Sequence, residues 1–494
     1  MGAQSSGIVS RALAQGFLVD SEAFDLMQKL PPDLEAAEVL QKVIQKKLAE
    51  PKSVKMITRE DVEAFLPETL TQNEVLVRVP EIESEIDVVF DPTSLIAPMD
   101  AEEGYKRLFK DRYERLLAIV KRRPDTRNAT TIQAAKGVAP GQKLKVAALV
   151  SSRNTKRGNV ELWLDDPTGS LRLSFQEGPV SRMAEEVPLD SMVVAEVSRS
   201  KSGQLYPNSL TLPDIPDRKP VTASHRVYAV LLSDLHVGSK MFLREDFERF
   251  ILWLNGKLGD EEIVNRIKYI VIAGDVVDGV GVYPGQEIQL SERDLRKQYL
   301  LASQFIERIP RHIQVLVSPG NHDAVRQALP QPAVPVALAE GLYNLENVKW
   351  IGNPAYVRLH GVGILVYHGK SLDDIIATTP GLSYSKPTIA MELLLRARHL
   401  APTYGKRTAL SPEMNDLLVV DSVPDVLHSG HVHSFDVSNY RGTLIVNSGT
   451  WQGQTSFQAN MGLEPTPSII PIVDLSMLTV IRRNFGSESF SLSP

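Results

Sequence analysis

Two histidines one residue apart, His431 and His433, stand in the segment SGHVHS near the C-terminal end of the chain. Only ten histidines occur in the 494 residues, and none precedes His225. Alternate residues of an extended segment point to the same side, so this spacing suits two ligands of one metal centre. The same half of the chain should then carry further metal-ligating side chains.

Four other segments place such side chains directly after an apolar run. They are VLLSDLHVGS, VIAGDVVDG, VLVSPGNHD and ILVYHGK, and VLHSGHVHS is the fifth. Across the five segments the candidate residues are Asp234, His236, Asp275, Asn321, His322, Asp323, His368, His431 and His433. Because open α/β sheets bind ligands outside the carboxyl ends of their strands, we predict one shared site at a sheet edge.

The types of these side chains predict a dinuclear metal site. Imidazole, amide and carboxylate ligands favour divalent ions of manganese, iron or zinc character over calcium. Seven of the nine candidate side chains would be too many ligands for one four-coordinate ion, and they suit two ions. Asp275 is the candidate carboxylate to bridge the two ions. Two ions about 3.5–4 Å apart clamp the attacking and leaving oxygens of a phosphoryl displacement, and a metal lowers the pKa of bound water to about 7.

The elements that would position these side chains have an α/β pattern. From Ser224 onward, short apolar runs alternate with amphipathic runs such as DFERFILWLNGKL, so we predict an α/β domain over residues 220–494. The remaining histidines match none of the five segments, and we interpret them as structural residues: His225, His312, His360, His399 and His428.

Three further regions precede this domain, so the chain is predicted to be multidomain. Residues 1–66 have apolar positions three and four apart and predict a small helical module. Residues 67–100 predict a strand-like linker or an edge strand. Residues 101–217 predict an amphipathic helix followed by five short strands, which suit an OB-type β-barrel.

A basic turn, SRNTKRGN, follows the first strand of the predicted barrel. It carries Arg153, Lys156 and Arg157, which we interpret as a candidate DNA contact. A solvated hairpin tip explains the same residues, and both interpretations stay open.

Composition restricts the class of protein. Apolar residues make up 43%, charged residues 23%, and the net charge is −6, which disfavours a protein that coats long duplex DNA. The absence of cysteine excludes disulfides, thiolate zinc sites and a cysteine nucleophile. No run reaches the roughly 18 apolar residues of a membrane span, and the N-terminus lacks the apolar core of a secretory signal. We expect a cytoplasmic protein without a membrane partner.

The ordered set D-x-H, GD, GNHD, HG and GHxH resembles the calcineurin-like metallophosphoesterase superfamily. The resemblance implies a C-terminal α/β metallophosphoesterase domain, a two-sheet β-sandwich flanked by helices, with a dinuclear site at one edge. It implies Asp234, His236, Asp275 and His433 as ligands of one ion, and Asp275, Asn321, His368 and His431 as ligands of the other. It also implies that His322 contacts the scissile phosphate or protonates the leaving oxygen, and that Asp323 orients His322.

Roughly residues 100–494 are similar to small subunits of archaeal family D DNA polymerases. The motifs are RYERLLAIVKRR, the barrel, the phosphoesterase region and the tail segments GTWQGQT and PTP. The similarity implies a 3′→5′ proofreading exonuclease for single-stranded or mispaired 3′ ends, with two manganese or magnesium ions per chain. It implies a large catalytic subunit, in a heterodimer or higher assembly, DNA 3′ ends and possible contact with a sliding clamp as partners.

Two alternatives to the exonuclease stay open. One is a phosphomonoesterase or nucleotidase of the same superfamily, since the metal motifs alone do not fix the substrate. The other is a non-catalytic scaffold like the B-type subunits of other replicative polymerases, although every ligand position of the motif set is filled here.

Overall fold

The computed structural model describes residues 82–97 and 99–486, and before them residues 36–49 and short stretches between 12 and 65. The chain forms two compact units, Met1–Glu81 and Ile82–Pro494. The first unit contains β1 (Leu18–Val19), α1 (Ala36–Ala49) and β2 (Met56–Ile57), and the two strands pair in parallel. Much of the predicted 1–66 helical module lies outside the described residues, and the module stays a prediction.

The second unit carries the predicted site. Its strands are β3 (Ile86–Phe90), β4 (Lys143–Lys156), β5 (Asn159–Asp166), β6 (Gly169–Phe175), β7 (Met192–Arg199), β8 (Leu205–Thr211), β9 (Tyr228–Leu232), β10 (Ile267–Ala273), β11 (Gln314–Ser318), β12 (Val348–Trp350), β13 (Ala355–Leu359), β14 (Val362–Val366), β15 (Val426–Ser429), β16 (Asp436–Tyr440), β17 (Thr443–Asn447), β18 (Ile469–Asp474) and β19 (Thr479–Asn484). Its helices are α2 (Ala101–Arg122), α3 (Ile132–Gly137), α4 (Pro179–Glu186), α5 (Arg244–Leu254), α6 (Glu261–Val264), α7 (Leu295–Ile306), α8 (Val336–Tyr343), α9 (Leu372–Thr378), α10 (Pro387–Ala397) and α11 (Ser456–Asn460).

Two six-stranded mixed sheets make up the C-terminal half, which confirms the α/β prediction. The first sheet has the order β12-β11-β10-β9-β18-β19, and the second has the order β16-β17-β15-β14-β13-β3. The central strands of both sheets are parallel, so their carboxyl ends lie at the same edge of each sheet.

Helices cover one face of each sheet, and a buried hydrogen bond joins the two sheets. Every residue of β9, β10 and β14 is buried, so both faces of these strands are covered. Tyr228, Val230 and Leu232 pack in one core with side chains of α5 and α7, so the alternating Ala229 and Leu231 point to the other side. The buried Tyr269 hydroxyl of β10 bonds His360 Nδ1, beside β13, at 2.6 Å and joins the sheets.

A five-stranded antiparallel sheet follows α2 in the sequence and precedes β9. Its order is β6-β5-β4-β7-β8, and its strands coincide with the five runs from which the barrel was predicted. Helix α4 connects its third and fourth strands in sequence. The OB-type barrel stays a prediction.

One predicted segment needs a correction, and the division of residues 101–217 from the C-terminal domain stays a prediction. Residues 86–90 are not a linker, because β3 pairs with β13 and forms an edge of the second large sheet, as the alternative proposed. Residues 101–217 lie in the same compact unit as the C-terminal half. The fully buried Arg112 of α2 donates to Asp416 and to the Pro402 carbonyl, each at 2.6 Å, and so ties α2 to the C-terminal half.

In the described part of the chain, helices long and apolar enough to cross a membrane are absent.

Candidate metal centre

The five ligand-bearing segments follow the carboxyl ends of β9, β10, β11, β14 and β15. Five of the candidate side chains stand on backbone with φ between 52° and 71°: Asp234, His236, Asp275, His431 and His433. Non-glycine residues rarely adopt this left-handed conformation, and it costs of order 1–3 kcal/mol each where it is strained. A strained backbone at five positions around one point is typical of a functional site.

Asp234, His236 and His433 form the first candidate ligand group. His433 Nε2 lies 3.3 Å from Asp234 Oδ1 and 3.1 Å from His236 Nε2, and His236 Nε2 lies 3.8 Å from Asp234 Oδ1. All three side chains are buried. Three potential donor atoms therefore converge on one small volume.

Asp275, His368 and His431 form the second group, and Asn321 joins it. His368 Nε2 lies 3.2 Å from Asp275 Oδ2 and 3.1 Å from Asn321 Oδ1. Asp275 Oδ2 also lies 3.8 Å from His236 Nε2 in the first group. The carboxylate of Asp275 therefore stands between the two groups.

Each of the four histidines in these groups has its other ring nitrogen occupied by a hydrogen-bond partner. The partners are Asp278 Oδ1 for His236 Nδ1 (3.0 Å), the Ala273 carbonyl for His368 Nδ1 (2.8 Å), Asp373 Oδ2 for His431 Nε2 (3.0 Å) and Gln458 Nε2 for His433 Nδ1 (2.9 Å). The three oxygen acceptors, of Asp278, Ala273 and Asp373, fix the ring orientation and tautomer in the way that metal-binding histidines require, whereas Gln458 presents a donor. The sequence reasoning missed Asp278, Asp373 and Gln458, although Asp278 lies in the segment VIAGDVVDG.

The predicted pairing of His322 with Asp323 is wrong. His322 Nδ1 bonds the main-chain carbonyl of Asp278 at 2.7 Å. The carboxylate of Asp323 instead accepts hydrogen bonds from Gly320 N (2.8 Å) and the Tyr299 hydroxyl (2.9 Å). Asp323 therefore holds the loop after β11, while Asp278 orients His322.

The electrostatics of the centre reflect buried charges in close contact. Burial opposes the positive charge of His368, but Asp275 and Asp234 outweigh burial and raise the pKa of His368 to about 9. Burial raises the pKa of Asp275, but His368, His322 and His236 together bring it well below its usual range. Burial lowers the pKa of His322, against the influence of Asp275. The centre therefore favours an ionised Asp275.

The donor set fits divalent cations. Asp234 Oδ1 is buried and has no hydrogen-bond partner among the described residues, although a buried carboxylate oxygen is costly without one. Glycines allow the close packing: a Cβ on Gly320 would lie 2.6 Å from the Asp275 nitrogen. Buried imidazole, carboxylate and amide donors are ligands that manganese, iron and zinc accept.

The three basic residues of the predicted barrel do not share one environment. The Arg153 guanidinium donates to the carbonyls of Glu185, Val187 and Thr378, so the structure assigns it a bridging role within the protein rather than a DNA contact. Lys156 and Arg157 are exposed at the β4–β5 turn, and their proposed DNA contact stays a prediction.

Comparison with known proteins places the chain in a family. The model of a family described as the B subunits of DNA polymerase alpha/epsilon matches residues 229–437. The chain is 39% identical over 420 residues to the DNA polymerase II small subunit of Pyrococcus furiosus, which covers 81% of this chain and 68% of that protein. Its identity to the Archaeoglobus fulgidus small subunit is 37% over 478 residues, covering 94% and 95%.

The alignments have different extents. The chain spans only 62% of the Pyrococcus horikoshii small subunit, to which it is 40% identical over 77% of its own length. A solved archaeal phosphodiesterase is 13% identical over 52% of this chain and 99% of its own, with a TM-score of 0.28, which is too low to establish a shared fold. The curated relatives decide the assignment, and the chain belongs to the family of DNA polymerase II small subunits.

Proposed function

We propose that this chain is the proofreading subunit of an archaeal DNA polymerase and hydrolyses phosphodiesters at DNA 3′ ends, in the 3′→5′ direction, with two divalent metal ions. The observation that carries the proposal is the convergence of two ligand groups on the carboxylate of Asp275, in a member of a polymerase small-subunit family. Manganese or magnesium is the proposed ion. A scaffold without catalysis would not require this buried ligand set.

Asp234, His236, Asp275 and His433 would hold one ion, and Asp275, Asn321, His368 and His431 the other. Two such ions would neutralise charge on the phosphoryl oxygens and lower the pKa of a water molecule. The protein holds the ligand side chains in position before substrate binds. Hydrogen bonds to Asp278, Ala273 and Asp373 orient His236, His368 and His431, respectively.

His322 is the proposed catalytic residue. Its Nδ1 proton is committed to the Asp278 carbonyl, and its ring lies 4.7 Å from the ring of His236. Its Nε2 is thereby left to contact the scissile phosphate or to hold a proton for the leaving 3′-oxygen. General acid–base groups of this kind contribute typically about 10²–10⁴-fold to the rate.

The residues around the centre suit an unpaired strand end. The loops 279–290 and 451–467 contain no lysine or arginine. The half-buried Tyr283 lies beside the centre, with its ring 6.3 Å from the ring of His322, and Val280 and Ile288 on the same loop are exposed. Aromatic and apolar side chains bind unstacked bases, which a paired end does not offer.

The proposed function also gives roles to the five-stranded sheet, to its basic turn and to partner proteins. The five-stranded sheet would be an OB-type barrel, and Lys156 and Arg157 would contact the strand that leads to the centre. The chain would pair with a large catalytic polymerase subunit, as the name of its relatives implies, and a sliding clamp is a further proposed partner.

The proposal is tested with a primer–template that carries a 3′ mispair and a label at the 5′ end of the primer. The purified chain, alone and with its large subunit, is incubated with Mn²⁺ or with chelator, and the products are sized over time. A metal-dependent ladder that shortens by single nucleotides from the 3′ end supports the exonuclease. Phosphate release from nucleotides without DNA cleavage would identify a monoesterase, and no hydrolysis of either would identify a scaffold.

A further inference from the structure

Gln458 in α11 makes two hydrogen bonds that fix the orientation of its amide. Its Oε1 accepts from the main-chain nitrogen of Thr455 at 2.9 Å, and its Nε2 lies 2.9 Å from His433 Nδ1. The Thr455 hydroxyl in turn accepts from the Gln458 nitrogen at 3.2 Å, which completes a capping box at the start of α11. A main-chain N–H only donates, so the amide oxygen must face Thr455 and the amide NH₂ must face His433.

This orientation determines the tautomer of His433. A ring nitrogen that accepts from the Gln458 NH₂ carries no proton, so the proton of the neutral ring is on Nε2. Nε2–H then faces His236 Nε2, its hydrogen-bond partner at 3.1 Å, and Asp234 Oδ1 lies 3.3 Å from the same nitrogen without a hydrogen bond. His236 can accept because its own proton is on Nδ1, which faces Asp278 Oδ1 at 3.0 Å. The network from Gln458 to Asp278 is thus internally consistent.

The same network conflicts with metal binding by His433. A cation held at Nε2 requires the proton of the neutral ring on Nδ1, where it would meet the Gln458 NH₂. Two donors 2.9 Å apart repel each other, and the amide relieves the conflict when it turns its oxygen toward His433 and away from Thr455. The main-chain nitrogen of Thr455 then loses its acceptor, and the cap of α11 opens.

We propose that Gln458 couples cation binding at His433 to the N-terminal cap of α11. Binding at the first ligand group therefore costs the capping bond, and the segment 455–461 loosens when the cation is held. This inference rests on the metal-binding part of the proposed function and does not depend on nuclease activity. Gln458 is a positioning residue, since it acts through His433.

Gln458→Glu separates the two roles of the amide. One carboxylate oxygen accepts from Thr455 N and the other accepts from His433 Nδ1–H, so the cap and the metal-binding tautomer become compatible. Gln454→Glu is the matched control, because it adds the same charge to the same loop. Gln454 is exposed and its Nε2 donates to the Leu463 carbonyl at 2.8 Å, away from His433.

The experiment measures Mn²⁺ binding to the full chain by electron paramagnetic resonance of the free ion, and hydrogen exchange of a peptide that spans residues 454–463. We expect Gln458→Glu to bind Mn²⁺ about 10-fold more tightly than wild type, and Gln454→Glu to match wild type. We expect Mn²⁺ to accelerate exchange of the peptide about 3- to 10-fold in wild type and to leave Gln458→Glu unchanged.

Each other outcome overturns the inference. Equal Mn²⁺ affinity of Gln458→Glu and Gln454→Glu would show that the Gln458 amide does not oppose binding. Unchanged or slower exchange in wild type with Mn²⁺ bound would show that the cap does not open. If neither wild type nor Gln458→Glu binds Mn²⁺, the metal site itself fails, while intact Mn²⁺ binding without DNA cleavage contradicts only the exonuclease.

Discussion

His322 takes its orientation from the main chain of Asp278, whose carbonyl oxygen lies 2.7 Å from His322 Nδ1. The side chain of Asp278 meanwhile accepts from His236 Nδ1 and from Gln452 Nε2, each at 3.0 Å. One residue thus positions the proposed catalytic histidine and one proposed ligand, through different atoms. Substitutions can therefore separate the two roles.

His322→Ala should abolish most hydrolysis without disturbing the metal site, because the proposed ligand sets do not use His322, although its ring lies with His236 and Asp275 in a third group of potential ligands. We expect cleavage of single-stranded DNA to fall about 10²–10⁴-fold and Mn²⁺ affinity to stay within about twofold of wild type. Steady-state cleavage and Mn²⁺ titration measure the two quantities. Retention of more than about a tenth of the activity would remove His322 from the mechanism.

Asp278→Asn should weaken metal binding through His236. The asparagine keeps the main-chain carbonyl for His322, but it loses the charge that holds His236 Nδ1–H and turns an NH₂ toward surrounding donors. We expect Mn²⁺ affinity to fall about 10- to 100-fold. Glu287→Gln, an exposed carboxylate on the neighbouring loop, is the control and should bind as wild type does. Unchanged affinity in Asp278→Asn would contradict the orienting role.

Asp323→Ala tests whether this carboxylate serves the fold or the reaction. Its removal leaves the buried donors Gly320 N and Tyr299 Oη unpaired, and we expect the free energy of unfolding to fall by about 3 kcal/mol. Denaturant unfolding measures the loss. Full stability combined with a collapse of activity would restore the discarded pairing of Asp323 with His322.

His399 should make stability depend on pH. In the folded chain its Nε2 lies 2.9 Å from Asp416 Oδ2 and its Nδ1 accepts from Ala401 N at 3.1 Å, so the neutral ring is fully bonded. Burial, followed by Arg112, lowers the pKa of His399 to about 4. The unfolded chain, with a histidine pKa of about 6.5, takes up the proton first, so stability is lost as pH falls from about 6.5 toward 4.

The size of this effect follows from the two pKa values. As the pH falls from 7 to 5, proton uptake by His399 in the unfolded chain should lower the free energy of unfolding by about 2 kcal/mol. His399→Gln keeps a donor for Asp416 but does not titrate, so its loss over the same interval should be smaller by that amount. Equal losses in wild type and His399→Gln, from denaturant unfolding at both pH values, would contradict the assigned protonation.

The basic residues of the β4–β5 turn should separate by function. The double variant Lys156→Ala/Arg157→Ala should bind single-stranded DNA more weakly. If each cation contacts one phosphate, the slope of log affinity against log salt concentration should become shallower by about 1.4. Arg153→Ala should instead lower the unfolding free energy by about 2 kcal/mol, because three carbonyls lose a donor. An unchanged salt dependence in the double variant would favour a solvated hairpin.

The sequence predicts which side chains meet, because each follows an apolar strand and the carboxyl ends of parallel strands lie at the same edge. Asp234 and His433 are 199 positions apart in the chain numbering, yet strand ends bring them to 3.3 Å. Helix α2 and the five strands β4–β8 could also be predicted from the sequence, because hydrophobic periodicity marks the helix and turn residues separate the strands.

The sequence does not reveal contacts that depend on distant backbone. Arg153 looks like a free cation on a turn, but its guanidinium reaches the Thr378 carbonyl, 225 residues away. Adjacency suggested Asp323 as the partner of His322, whereas the observed partner is 44 residues upstream. Main-chain acceptors leave no side-chain signature, and consecutive side chains on an irregular loop point in different directions.

The central claim is that Asp275 bridges two divalent ions, and anomalous diffraction from crystals grown with Mn²⁺ tests it most directly. We predict two anomalous peaks about 3.5–4 Å apart, both in contact with the Asp275 carboxylate, one beside His433 and the other beside His368. A single peak, or peaks that do not touch Asp275, would contradict the dinuclear centre and the hydrolytic function built on it.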